Sequence, residues 1–350
     1  MSWVTRSRAV ASVVLGLILS VPVALAAGIQ ALKVPSNGSS PALSGAVWYP
    51  CAVAPTLMKL GSFLVSAIKD CPIAGTKLPL VVVSHGRRGN FLGHHDTAQA
   101  LADAGFLVAA ISHPGDNAQD SSHSDDLSAY VERPADIKRL IDYLLASWRY
   151  AAAIDPDRIG LFGFSRGGYT GLVLVGANPR FSPDIGMCVG QTSTICERVR
   201  QGKGEPLVHD RRVKALVIAD PLSIFFTKTS FDAVGVPIQL WRSEHGGDGV
   251  THESVAAVAD ELPVKADVRA VPNAQHFRSC LRARTSWLEA HMTFAQTHLA
   301  STARRSTRSS TSKWWISFGT PCVDVPGCKL GDSPGGPLHA LTPTGRLTIN

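Results

Sequence analysis

Beyond its first 26 residues this 350-residue chain has no apolar run long enough to cross a bilayer, which excludes a stable membrane span there. It also lacks a C-x-x-C pair and any His/Cys cluster at zinc spacing. Its seven cysteines therefore read as structural staples, and no metal or organic cofactor is expected. A basic footprint for polyanions is missing too. The formal net charge is +7, yet residues 27–277 hold 23 Lys/Arg against 24 Asp/Glu. The surplus sits at the two ends, so nucleic acid is not an expected partner.

What is present begins with the leader. Arg6 and Arg8 precede an apolar run from Ala9 to Val23, and Ala24-Leu25-Ala26 follows. That is a basic n-region, a short h-region and an A-x-A cleavage site, so residues 1–26 read as a signal peptide of a secreted or periplasmic protein. In an exported chain disulfides are expected. Cys51 and Cys71 flank one loop and Cys188 and Cys196 another, and each pair is expected to close locally.

Apolar runs at 46–49, 78–83, 106–111, 159–162, 213–218 and 238–241 read as strands, and 267–271 as the last one. Helical patterns intervene over Thr97 to Ala104 and Pro134 to Trp148. Alternation of buried strands with helices predicts an α/β fold, a mostly parallel sheet covered by helices on both faces, over 27–277. Residues 178–212, rich in Pro, Gly and polar side chains, are longer than an ordinary connection and read as a cap or rim insertion.

Gly163-Phe164-Ser165-Arg166-Gly167 stands between the strand Ile159 to Phe162 and a small-residue helix from Gly167 to Gly176. A G-x-S-x-G in that setting is the nucleophile elbow of α/β-hydrolases, a turn tight enough to expose a serine hydroxyl. Upstream, Leu80-Val81-Val82-Val83 runs into Ser84-His85-Gly86-Arg87-Arg88-Gly89. Hydrolases of this fold place one oxyanion-hole amide in such a loop and the other on the residue after the nucleophile, nominating the amides of Arg87 and Arg166. Each donor of this kind is worth roughly 2.7–4 kcal/mol of transition-state stabilisation.

The Ser-His-Gly loop, Ala109-Ala110-Ile111-Ser112-His113-Pro114-Gly115-Asp116-Asn117 and Gly163-Phe164-Ser165-Arg166-Gly167-Gly168 together resemble the exported bacterial branch of the dienelactone-hydrolase-related serine hydrolases, which are similar to platelet-activating-factor acetylhydrolases. The resemblance spans about Trp48 to Phe277. Dienelactone hydrolase itself uses a cysteine, so dienelactone is not the implied substrate. The resemblance implies that His113 and Asp116 lie in a structural loop outside the triad. The base is expected at His276, after the strand 267–271, where Gln275 replaces the family's glycine; His252 is the runner-up. For the acid, Asp248-Gly249-Val250 matches the family's Asp-x-Val after the strand 238–241 and makes Asp248 the first choice. Asp220, in the region where the acetylhydrolases place theirs, is the alternative, and Glu244 comes after it.

After Phe277 the character of the chain changes. A Ser/Thr/Arg run from Ser301 to Ser312 is followed by Trp314-Trp315 and a Gly/Pro-rich end. Tryptophan has the single codon TGG, so reading one base earlier over Lys313 to Ile316 forces Val-Asp and permits Lys-Val-Val-Asp-Phe-Phe. The same shift over Gln296 to Arg304 and over Arg278 to Thr285 also permits strings like the family's ending. Residues 278–350 therefore read as a frameshifted or disordered tail. The expected activity is cleavage of a small-molecule or lipid-like carboxylic ester through an acyl-enzyme on Ser165. Acyl transfer by the same triad, and a catalytically silent exported binding protein or damaged gene product, are the alternatives.

Overall fold

The computed structural model describes residues 26–202 and 206–276, together with Phe294 and residues 297–299. All of them fall in a compact unit, Met1–Arg305. Among the described residues ten strands form one sheet: β1 (Ala26–Val34), β2 (Leu43–Cys51), β3 (Thr56–Leu60), β4 (Phe63–Lys69), β5 (Leu78–Ser84), β6 (Leu107–Ser112), β7 (Ile154–Phe164), β8 (Val213–Ala219), β9 (Ile238–Ser243) and β10 (Asp267–Val271). The helices are α1 (His95–Asp103), α2 (Ser128–Ala146), α3 (Arg166–Leu174), α4 (Thr194–Arg200) and α5 (His252–Glu261). The strand order is β10-β9-β8-β7-β5-β6-β2-β1-β4-β3. From β10 to β6 every pair is parallel, while β2 runs antiparallel to both β6 and β1.

The central strands are apolar on both faces because helices cover both. In β5, Leu80 and Val82 belong to one buried cluster, with Ile137, Leu140, Ile141 and Leu144 of α2 and Leu172 and Val173 of α3. Val81 and Val83 belong to the other, with Ala98, Leu101 and Ala102 of α1. A period of two along the strands against 3.6 along the helices produces this sorting. Helix α2 begins six residues before Pro134, which sits inside it.

Three strands depart from the sequence reading. β1 starts at Ala26, the last residue of the expected leader, and Ala26 pairs with Cys51. The segment between Cys51 and Cys71 is a hairpin of β3 and β4 rather than a loop. In β4 alternate residues Val65 and Ala67 are buried while Leu64 and Ser66 are exposed, the pattern of a half-buried strand. Cys51–Cys71 and Cys188–Cys196 are both bonded, with Cα separations of 6.3 and 5.2 Å.

Residues 178–212, expected as a cap or rim insertion, contain α4 and pack Cys188, Ile195, Cys196 and Val199 into the α2–α3 side of the core. No helix among the described residues is long and apolar enough to cross a membrane. The leader up to residue 25 and nearly all of the tail read as frameshifted lie outside the described residues. Within that tail Phe294 and Leu299 are buried beside Val81, Phe162, Ala215 and Val217, on the sheet face opposite α2.

Candidate active site

Ser165 stands between the end of β7 and the start of α3 with φ +55° and ψ −116°, a conformation that side-chain-bearing residues rarely adopt. Such backbone costs about 1–3 kcal/mol and persists only when its surroundings hold it. The surroundings do so: the Ser165 amide donates to Ala219 O at 2.9 Å, and its carbonyl accepts from Gly168 N at 2.9 Å and Leu222 N at 3.0 Å. The glycines are forced by close approach. A methyl on Gly167 would overlap the Ser84 carbonyl and lie 2.9 Å from His85 O, and one on Gly163 would overlap the Gly167 carbonyl. The start of α3 thus passes against both the end of β7 and the end of β5 with no room for a side chain.

Sheet register supplies the rest. Phe164 of β7 pairs with Ala219 of β8, so the next residues, Ser165 and Asp220, leave the sheet side by side. Asp220 Oδ2 lies 3.2 Å from His276 Nδ1, and His276 Nε2 lies 3.0 Å from Ser165 Oγ. Asp220 Oδ1 accepts the Ser243 amide at 2.7 Å, which fixes the carboxylate. His276 follows β10, donates its own amide to Gly246 O at 2.8 Å and stacks on Phe164 with ring centroids 4.9 Å apart. All three residues are buried.

The structure thus places Asp220, the alternative acid, and not Asp248, the first choice, against His276. Asp248 is exposed, with φ +50°, in the turn after β9. β9 lies one strand farther from β7 than β8 does, and its following loop meets the histidine through the Gly246 carbonyl instead of a carboxylate. Glu244 accepts the Asn273 amide at 2.6 Å, so it braces the loop that carries His276. The runner-up base, His252, opens α5.

Of the two nominated oxyanion residues, Arg166 directly follows Ser165 in the chain and Arg87 follows Gly86, which packs beside Ser165. Arg166 is the first residue of α3, where backbone N–H groups have no intrahelical acceptor and the helix dipole favours negative charge. Arg87 sits in a tight turn closed by Gly89 N to Gly86 O at 3.1 Å, with Arg88 at φ +55°. Gly86 is packed against Ser165, since a Cβ there would touch Ser165 Cβ at 3.4 Å. The side chains of Arg87 and Arg88 both reach Asp125. Burial alone would lower the Arg87 pKa, but the Asp125 hydrogen bond and the charges of Asp125, Asp248 and Asp116 raise it.

Behind the turn lies a buried polar network that the motif reading did not reveal. Arg133 of α2 donates through Nη1 to Asp116 Oδ2 at 2.7 Å, and through Nη2 to Ser84 Oγ at 3.2 Å and to the His85 carbonyl. Arg166 Nη1 reaches the same Asp116 Oδ2 at 2.8 Å and Ser124 O at 2.7 Å, while Nη2 donates to the Tyr130 hydroxyl at 3.0 Å. Burial pushes the Asp116 carboxyl up, but Arg133 and Arg166 outweigh it and hold its pKa at about 2. Burial and the neighbouring Arg166 bring Arg133 down to about 10, against the pull of Asp116, so it is cationic at neutral pH.

Ser84, His113 and Asp136 repeat the spacing of a triad, with 3.0 Å at each link. Ser84 is fully buried and its oxygen already accepts from Arg133, so this chain is a strut and not a nucleophile. Burial, Arg133 and His85 push the His113 pKa well below the ordinary value, and burial raises Asp136 to about 7. Both His113 nitrogens are occupied by these bonds. The signal for the network is Arg133 itself, a charged residue among the apolar positions of α2.

Comparison with known proteins agrees with this architecture. Residues 66–192 match the model of the dienelactone hydrolase family, a stretch that contains Ser165 and both nominated amides. The chain is similar to a ferulic acid esterase from Streptomyces cinnamoneus, with a TM-score of 0.57 and 17% identity over 82% of this chain and 95% of that one. It is also similar to a dienelactone hydrolase from Anabaena variabilis ATCC 29413, with a TM-score of 0.49 and 14% identity over 78% of this chain and 98% of that one. A search among curated proteins found no match.

Proposed function

We propose that this chain, a dienelactone-hydrolase-related α/β-hydrolase, is a serine esterase that cleaves small-molecule or lipid-like carboxylic esters through an acyl-enzyme on Ser165. The observation that carries the reading is the continuous relay from Asp220 through His276 to Ser165, at a strained turn that opens a helix. Neutral His276 accepts the hydroxyl proton at Nε2 as Ser165 Oγ attacks the ester carbonyl carbon. Asp220 holds the other ring proton on Nδ1 and stabilises the imidazolium that forms.

The carbonyl oxygen takes up the electron pair as an oxyanion between the amides of Arg87 and Arg166. Collapse of the tetrahedral intermediate breaks the ester C–O bond, and His276 returns its proton to the departing alkoxide. Water then repeats the sequence on the acyl-serine, with the carboxylic acid and free Ser165 as products. The Cys51–Cys71 and Cys188–Cys196 bonds and the leader-like residues 1–26 support secretion or a periplasmic location, since disulfides persist in oxidising compartments.

Turnover of p-nitrophenyl acetate by the purified chain and by Ser165→Ala tests the proposal. Loss of several orders of magnitude with an unchanged circular dichroism spectrum is expected. Equal turnover by the variant contradicts it.

A further inference from the structure

We infer that Asp116 is the positioning residue of the oxyanion hole, a single buried carboxylate that ties the turn bearing the Arg87 amide to the helix start bearing the Arg166 amide. The inference rests on the esterase reading above and deepens it. Asp116 lies in the loop after β6 and is fully buried, and its hydrogen bonds go to Arg88, Ser124, Arg133 and Arg166 rather than to Ser165 or His276.

Its two oxygens divide the work. Oδ1 accepts the main-chain amide of Arg88 at 3.1 Å and the Ser124 hydroxyl at 2.7 Å. Oδ2 accepts Nη1 of Arg166 at 2.8 Å and Nη1 of Arg133 at 2.7 Å. Arg133 in turn donates to the carbonyl of His85. The backbone is thereby held on both sides of Arg87, at Arg88 N on one side and at His85 O, one peptide before the Gly86–Arg87 unit, on the other, and both fastenings converge on Asp116. The guanidinium fastened to the opposite oxygen belongs to the residue whose own amide is the second donor.

Two further bonds weld the same loops. The His113 amide donates to His85 Nε2 at 3.1 Å, and the Ala118 amide donates to Gly89 O at 2.8 Å. Arg88 at φ +55° is a strained position that the Asp116 bond to its amide helps to define. An oxyanion hole works by fixed donors aimed at the oxygen formed in the transition state, so a displacement of one donor by a fraction of an ångström lowers kcat while ground-state binding is retained. The substitution Asp116→Asn keeps the shape of the side chain but leaves two buried guanidiniums without their shared counter-charge.

The experiment uses the full chain, with active sites counted by a fluorophosphonate probe so that misfolded molecules do not enter kcat. Asp116→Asn is expected to lower kcat for p-nitrophenyl butyrate at least tenfold per labelled site, with KM within about twofold. The inhibition constant of butylboronic acid, which forms a tetrahedral adduct on serine, should weaken by a similar factor. Arg166→Lys covers the case in which Asp116→Asn does not fold, because it keeps the charge and the main-chain amide but cannot bridge Asp116, Ser124 and Tyr130 together. It should show the same split at threefold or more.

A purely structural role would lower the melting temperature and the labelled fraction while leaving kcat per site and boronate affinity unchanged. That outcome overturns the inference. If the native chain neither labels nor turns over, the esterase reading falls first and takes this inference with it.

Discussion

Replacing Asp220 by asparagine changes one atom and should nearly silence the site. Asp220 offers one oxygen to His276 Nδ1 at 3.2 Å and the other to the Ser243 amide at 2.7 Å. Asparagine has a single acceptor oxygen for these two donors. If that oxygen stays on Ser243 N–H, the carboxamide NH2 faces Nδ1, which must then give up its proton. The imidazole proton moves to Nε2, 3.0 Å from Ser165 Oγ, where a proton acceptor is required. If the amide turns the other way, a buried N–H of Ser243 loses its partner. Either arrangement also removes the charge that stabilises the imidazolium.

A wrong-tautomer substitution of this kind costs about 10⁴ in kcat, which is about 5.4 kcal/mol of barrier. Asp248→Asn, in an exposed turn, should stay within about threefold. The assay is kcat for p-nitrophenyl acetate per fluorophosphonate-labelled site, with both variants made side by side. Near-native turnover by Asp220→Asn with a large loss in Asp248→Asn would refute the relay and restore the motif-based choice of acid.

Other consequences are equally specific. Gly167→Ala forces a methyl into the Ser84 and His85 carbonyls, and overpacking of that order costs about 1–3 kcal/mol; a lowered melting temperature together with reduced kcat is expected, and a neutral variant would show that the elbow has slack. His94 is buried against Phe162 and Phe164, and burial lowers its pKa to about 4. As pH falls from about 6.5 toward that value the unfolded chain takes a proton that the native chain refuses, so His94 costs about 2 kcal/mol of stability by pH 5. Urea titrations of His94→Phe should accordingly gain about that much relative to the native chain between pH 7 and pH 5, and parallel curves would contradict the shift. Removing Cys51–Cys71, with a separation of 20, should cost ~3.3 kcal/mol and removing Cys188–Cys196, with a separation of 8, ~2.5 kcal/mol by loop entropy; chemical denaturation of the two double-serine variants measures both.

The parallel half of the sheet was legible because β5 to β9 are apolar on both faces and stand out as short runs between helical patterns. β1 was hidden because Ala26 and Ala27 look like the end of a leader when read as sequence. β3 and β4 were hidden inside a segment framed by two cysteines, although Leu64 to Ala67 alternates as a half-buried strand must.

At the site, local chemistry was enough to nominate Ser165 and His276, each following an apolar strand. It was not enough to choose the carboxylate. Asp220 and Asp248 both come after a strand in sequence, and only the pairing of β8 beside β7 brings one of them next to the serine. An aspartate directly on the end of the apolar run Ala215 to Ala219, against one set among Gly246, Gly247 and Gly249 several residues past its strand, was the available hint. The Asp116–Arg133–Arg166 network depends on three segments distant in sequence, so spacing carries no trace of it beyond an arginine on the apolar face of α2.

Covalent labelling reads directly whether Ser165 is the nucleophile of an assembled relay. The native chain incubated with a fluorophosphonate should gain the mass of one phosphonyl group, mapped by peptide sequencing to the segment containing Ser165, with no gain in Ser165→Ala and strongly slowed gain in Asp220→Asn. Labelling that persists in Ser165→Ala, or that maps to another serine, would contradict the account.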